Sequence, residues 1–276
     1  EENMSMKKNI WMTVLTIITV CCVVGGTFHY YGIFSLRGGF RFGDDRITRA
    51  SSDLDAFDAI YVDADMIDLS IETGKKFYLH GEYTDTLKLE YEVKDHALHI
   101  KQKMPKRAWW GGMRNERCDM TLTVPEEAEM KNMEIKVSMG SISVEGITAS
   151  DCDALTNMGS FTFKKCSFDE SKLNTSMGEI IVKDTELGES EVDNDMGSIQ
   201  IEGCTFQNLS ADNAMGDTSI NVNQNLDNFE IELETEMGEV RVNDQNEGTK
   251  YRQSGDAGKL EASASMGNIR LHYQTK

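Results

Sequence analysis

The chain has 276 residues, 39% of them hydrophobic and only two of them proline, which suits a folded protein and excludes a disordered one. Its 47 acidic and 28 basic residues leave a net charge of −19, excluding the basic face a nucleic-acid binder needs to neutralise phosphates. That length holds one large domain or two small ones.

Residues 1–8 read as a cytoplasmic tail carrying Lys7 and Lys8. From Asn9 to Leu36 there is no Asp, Glu, Lys or Arg, and IWMTVLTIITVCCVVGG is strongly apolar. A transmembrane helix needs about 20 such residues, so 9–36 is predicted to span a bilayer. Phe28, Tyr30, Tyr31 and Phe34 suit the interfacial belt where amphipathic rings settle. A cleaved signal peptide is the competing reading, but no A-x-A-like site follows and Val20 before Cys21 does not suit lipoprotein cleavage. Two features oppose each other over orientation. Arg37, Arg41, Arg46 and Arg49 behind the span favour that flank inside, whereas a short tail before a long domain is the usual single-pass layout with the domain outside. The second places the C-terminal domain outside the cell membrane. Residues 37–53 read as a tether.

Residues 54–130 contain FDAIYVDA, MIDLSIET, TLKLEYEV, HALHIKQK and RCDMTLTV, which alternate or nearly so and read as strands without a fixed period. They are expected to form the irregular first part of a larger stack. Inside them KQKMPKRAWWGGMRNER, 101–117, stands out as basic and aromatic in an acidic chain. Lys106, Arg107, Trp109, Trp110 and Arg114 are the candidate contact residues, offering indole area and positive charge to an anionic surface. The competing account is a loop whose tryptophans cap the end of the core.

Over 131–276 a repeat takes over. Met-Gly occurs at Met139-Gly140, Met158-Gly159, Met177-Gly178, Met196-Gly197, Met215-Gly216, Met237-Gly238 and Met266-Gly267, at intervals of 19, 19, 19, 19, 22 and 29 residues. A constant period near 20 means stacked units. Counting from each Met, the fourth residue is Ile142, Phe161, Ile180 or Ile199 and the sixth is Val144, Phe163, Val182 or Ile201, a period-2 apolar pair on a short strand. The sixteenth is Ala154, Leu173, Val192 or Ala211, on a second short strand. The fold class is therefore all-β, a β-solenoid with two short strands per rung. The inward phase slips at Met-Gly, so these pairs are structural corners: Gly supplies the backbone angles, and Met is expected to fill the irregular space inside. The eighteenth position, Thr156, Thr175, Asn194 or Asn213, is expected to form a hydrogen-bonded ladder up the stack.

Of six cysteines, Cys21 and Cys22 lie in the predicted span, leaving Cys118, Cys152, Cys166 and Cys204. Cys166 and Cys204 share a repeat position two rungs apart, a separation of about 9.6 Å. A disulfide allows about 7 Å between Cα atoms, so both are expected free and packed. Catalytic and metal-binding patterns are not found: His96 and His99 would face opposite sides of a strand, and no nucleophile-elbow, zincin, Walker or dinucleotide signature occurs. Soft-metal binding by the methionines is set aside because core filling accounts for them. No cofactor and no metal are expected.

One N-terminal span, an irregular strand-rich half containing LTVP, and tandem MGSISV and MGEIIV units resemble the bacterial putative-adhesin β-strand-repeat domain family, over roughly residues 54–276. The resemblance implies a membrane-anchored surface protein of Gram-positive bacteria, some members being encoded beside envelope-stress systems, and brings no catalytic residue. The expected function is a non-enzymatic, adhesin-like interaction module whose partners are the membrane, through the helix, and cell-wall polymer or another membrane protein. The alternative is an accessory component of an envelope-stress or regulatory membrane complex.

Overall fold

In the computed structural model residues 47–104 and 116–275 are described. The predicted tail, the transmembrane helix, most of the tether and the segment 105–115 lie outside them. Among the described residues no helix is long and apolar enough to cross a membrane.

In chain order the strands are β1 (Ile47–Asp53), β2 (Ala59–Met66), β3 (Asp68–Gly74), β4 (Tyr78–Thr84), β5 (Lys88–Lys94), β6 (Ala97–Lys103), β7 (Cys118–Pro125), β8 (Glu129–Met139), β9 (Ile142–Glu145), β10 (Thr148–Met158) and β11 (Phe161–Lys164). They continue as β12 (Ser167–Met177), β13 (Ile180–Lys183), β14 (Glu186–Met196), β15 (Ile199–Met215), β16 (Thr218–Asn225), β17 (Glu230–Met237), β18 (Val240–Val242), β19 (Gln245–Gly248), β20 (Lys250–Gln253), β21 (Lys259–Met266) and β22 (Ile269–Gln274).

The alternation in each repeat builds a solenoid of two facing parallel sheets. Long strands β8, β10, β12 and β14 pair in one sheet, and short strands β9, β11 and β13 pair in the other. The register advances by one repeat, so Ala154 faces Leu173, Leu173 faces Val192, and Phe161 faces Ile180. The two strands of a rung are unequal, 11 residues against 4, where two short ones were expected. Between the sheets Phe161 and Phe163 are fully buried, and Phe163 meets Phe168 edge-on at 5.7 Å. Phe168 stands beside Ala149 of the neighbouring rung, so large and small residues share the space of the core.

A second corner, with no signature in the repeat, returns the short strand to the long one. Gly146, Lys165, Asp184 and Gly203 occupy it with left-handed φ of 76°, 52°, 48° and 68°. Two of the four are ordinary side chains in a conformation that costs them roughly 1–2 kcal/mol.

Rung order in space departs from chain order at both ends. β2 and β3 lie between β6/β7 and β8/β9, all parallel. At the other end β21 and β22, the last of the described strands, lie between β15/β16 and β17/β18. Each end is then closed by antiparallel strands: β4 and β5 on β7 and β6, with β1 outside β4, and β19 and β20 on β18 and β17. Thus Ile47–Asp53, expected in the tether, is an edge strand. These closing strands are short, and β5 and β20 turn Lys88, Glu90, Glu92, Lys94, Lys250 and Arg252 outward or to the rim, which discourages pairing with another chain.

Candidate functional site

Each Met-Gly corner repeats one backbone arrangement. Gly159 N–H donates to the Met177 carbonyl, Gly178 N–H to Met196 and Gly197 N–H to Met215, each at 2.9 Å. Gly178 holds φ at +151°, and a Cβ there would lie 1.8 Å from the Gly159 carbonyl oxygen. The same crowding recurs from Gly140 to Gly267, so the corner demands glycine both for its angle and for its closeness.

The methionines behave otherwise than expected. Register places Met66, Met139, Met158, Met177, Met196, Met215, Met266 and Met237 in one column, in that spatial order. Six of them are 39–62% exposed: Met158, Met177, Met196, Met215, Met237 and Met266. They line the outside of the corner instead of filling its inside. The inward side chain is two residues earlier, at Thr156, Thr175, Asn194 and Asn213, all buried. The strand turns before the next inward place is reached, which corrects the expected packing of Met.

The buried polar position does not form a ladder with itself either. Asn194 Nδ2 donates to the Gly178 carbonyl and Asn213 Nδ2 to the Gly197 carbonyl, both at 3.0 Å, and Thr235 Oγ1 donates to Gly267 at 2.8 Å. These side chains satisfy the carbonyl that the corner removes from the sheet ladder. Thr156 Oγ1 makes no such bond. Just beyond the glycine a second set of polar side chains reaches between rungs: Asp217 Oδ1 accepts from Asn268 N at 2.9 Å, and Asn268 Oδ1 from Glu239 N at 3.0 Å. The hydrogen bond from Asn268 and the Arg270 guanidinium hold the Asp217 carboxyl below its ordinary value.

The two outer faces differ in charge. The three outward columns of β8, β10, β12, β14, β15, β21 and β17 carry twelve carboxylates against three lysines. Outward positions of the short strands hold Ser143, Thr162, Ile181 and Gln200, beside the pairs Lys164–Glu145 at 3.2 Å and Lys183–Glu202 at 2.8 Å. On the acidic face a groove of 360 Å³ crosses the rungs, walled by Asp151, Asp153, Glu170, Glu189 and Glu191 with Lys172 and Lys259 among them, and floored by Cys152, Ser171 and Ser190. It follows from the repeat, because each long strand presents two consecutive outward residues there, as at Ser150-Asp151 and Asp169-Glu170. Partial burial, with Glu191 and Asp212 nearby, raises the Asp193 carboxyl above its ordinary value. This face favours cations and cationic groups.

The candidate contact residues Lys106, Arg107, Trp109, Trp110 and Arg114 lie outside the described residues, whereas both stems of their segment are described. Met104 N donates to Asp65 Oδ2 at 2.7 Å, and Lys103 pairs with Asp63 at 2.8 Å. On the other stem Arg117 N donates to Thr84 Oγ1 at 3.1 Å and Thr84 N to the Arg117 carbonyl at 2.9 Å. The segment joins β6 in one sheet to β7 in the other, the passage that Met-Gly makes in the regular rungs.

All four described cysteines are free and buried. Thr185 stands between Cys166 and Cys204, its Oγ1 accepting from Cys166 N at 3.3 Å. Burial pushes the Cys118 thiol up to about 12 and Cys204 up to about 11, and raises Cys152 and Cys166 as well. Such thiols are inert, with little thiolate at neutral pH. Among the described residues no three His, Cys, Asp or Glu side chains gather as a metal site.

A rung of one long and one short strand, Met-Gly corners and capped ends define a class of β-solenoid. The chain belongs to the Toastrack DUF4097 family, whose model matches residues 57–276. Among solved structures it is similar to a putative lipid binding protein of Parabacteroides distasonis, at 15% identity and a TM-score of 0.42 over 84% of this chain and 98% of that one. It is also similar to a putative adhesin of Bacteroides fragilis, at 14% identity and a TM-score of 0.41 over 83% and 97%. A third likeness is to a putative cell adhesion protein of Clostridium sporogenes, at 13% identity and a TM-score of 0.31 over 83% and 100%. No curated protein matches the chain.

Proposed function

We propose that this protein is a non-catalytic interaction module, held at the cell membrane by its apolar N-terminal segment and displaying the solenoid outside. The observation that carries this reading is the predominantly acidic face of the long-stranded sheet, twelve carboxylates against three lysines across seven rungs. Stacked rungs give a long face of fixed geometry, the form in which solenoids present binding surfaces. The basic, aromatic segment at 105–115 is fastened at both stems to one end of that stack and supplies the opposite charge. Contact with an anionic wall polymer falls to this segment, because the rest of the domain repels such a polymer.

The test is retention of the full chain on isolated cell-wall polymer at rising salt. Trp109→Ala with Trp110→Ala, and separately Lys106→Glu with Arg107→Glu, are expected to lower retention at least tenfold. Equal retention of both variants and the parent would remove the segment from the contact. Protease digestion of the domain on intact cells tests the display, and protection until lysis would place the domain inside.

A further inference from the structure

We infer that the methionine column is a binding site for a soft monovalent cation, copper(I) or its analogue silver(I), held between thioethers of neighbouring rungs. Met66 packs against the core at one end of the column, but the six exposed side chains have no packing task that calls for methionine. The corner needs the glycine and the methionine's carbonyl, while six of the thioether chains stand 39–62% exposed. Of the large apolar side chains exposed among the described residues, only Ile47 and Leu155 lie elsewhere. An exposed corner position tolerates charged or polar residues, yet each of these rungs uses the same sulfur-bearing chain. What repeats is the donor atom.

The spacing fits the ion. In-register parallel rungs repeat every ~4.8 Å, so equivalent sulfur atoms in like rotamers stand about that far apart. A metal–sulfur bond is about 2.3 Å, as in zinc sites, so a metal between two collinear sulfurs spans ~4.6 Å. Neutral thioethers select soft ions such as copper(I) over the oxygen-seeking magnesium and calcium. The acidic face, part of the same domain, raises the local concentration of any cation. Bound this way, each ion bridges two rungs, and the stack takes half as many ions as it has column methionines.

The experiment is a silver(I) titration, in chloride-free buffer, of the detergent-solubilised full chain carrying ¹³C-labelled methionine methyls. The column methyls are expected to shift saturably, while buried Met120, Met130 and Met133 stay fixed. Two triple variants separate bridging from single-sulfur binding. Met158→Leu, Met196→Leu and Met266→Leu leave Met177, Met215 and Met237 without neighbours in the exposed column. Met215→Leu, Met266→Leu and Met237→Leu remove as many thioethers but leave Met158, Met177 and Met196 adjacent. Leucine keeps the apolar volume, and unchanged Met120 and Met130 methyls report an intact fold. Bridging predicts that silver affinity at Met177 falls at least tenfold in the first variant and less than twofold in the second. Equal response of Met177 in both overturns the proposal, since sulfurs would then act singly. So does a shift confined to Met133, the ladder partner of Cys152, which would place silver on thiols.

Discussion

The Asn194 side-chain amide donates to the Gly178 carbonyl at 3.0 Å, across a corner and sixteen residues back along the chain. This one bond joins the two features that define the repeat, since the glycine that makes the turn leaves a carbonyl needing a donor. Asn194→Ala is expected to lower stability by about 1–3 kcal/mol, the usual cost of leaving a buried polar group unpaired. Asn194→Thr should lose less than half of that, because Thr235 serves Gly267 in the same way. Urea melts of the three proteins check the order, and an Ala variant as stable as the parent would mean that water replaces the amide.

Glycines of this chain should differ sharply in what they tolerate. Gly178→Ala places a methyl 1.8 Å from the Gly159 carbonyl oxygen and is expected to cost about 3 kcal/mol or more, as a forced backbone shift does. Gly248→Ala meets nothing within 4 Å and carries only the strain of its φ of +83°, roughly 1–2 kcal/mol. Paired thermal melts give the comparison. Equal losses would show that backbone angle alone, and not closeness, governs the corner.

Asp193 supplies a pH test. Its carboxyl is raised above 3.8 by partial burial and by Glu191 and Asp212, so the folded state holds the proton more tightly than the unfolded one. Ionised Asp193 therefore opposes folding at neutral pH. The opposition fades as pH falls through the raised value, and has gone below 3.8, where both states are protonated. Asp193→Asn should raise the melting temperature at pH 7 and leave it nearly unchanged at pH 3. A gain of the same size at both values would assign the effect to packing.

The thiols make a kinetic prediction. Cys118, Cys152, Cys166 and Cys204 should resist alkylation in the native protein at pH 8 and react fully once unfolded without reductant, as mapped by peptide mass. Rapid native labelling of Cys118, whose thiol is pushed up to about 12, would show that the rung around it opens readily.

The sequence made the rung legible because inward pairs such as Ile142-Val144 and Phe161-Phe163 recur at a fixed interval, and the slip of phase located the corner. It misdirected the methionine because counting by twos from Asn194 assumes an extended strand, whereas Asp195 and Met196 are both exposed where the chain begins to turn. The return corner is harder to read, since its four residues, Gly146, Lys165, Asp184 and Gly203, share no single residue type and Lys165 does not advertise a left-handed angle. Intervals of 22 and 29 announced longer connections but could not say which rungs are neighbours. The acidic groove was invisible for a related reason: Ala149 and Ala154 are both inward although five residues apart, and only the kink between them reconciles the two.

Neighbourhood at the ends carries a consequence for synthesis and for descent. When β17 and β18 leave the ribosome, the parallel partners they will have, β21 and β22, do not yet exist. Their rung waits for β21 and β22 to be made, and a chain stopped before Lys259 strands it. The opening of the domain has the same character, because β2 and β3 must stay accessible until both β6/β7 and β8/β9 arrive. Between these locked ends, rungs from β10 to β14 follow one another simply. A lineage can therefore lengthen or shorten the protein by whole nineteen-residue steps only in its middle, where adding one more turn disturbs neither closure.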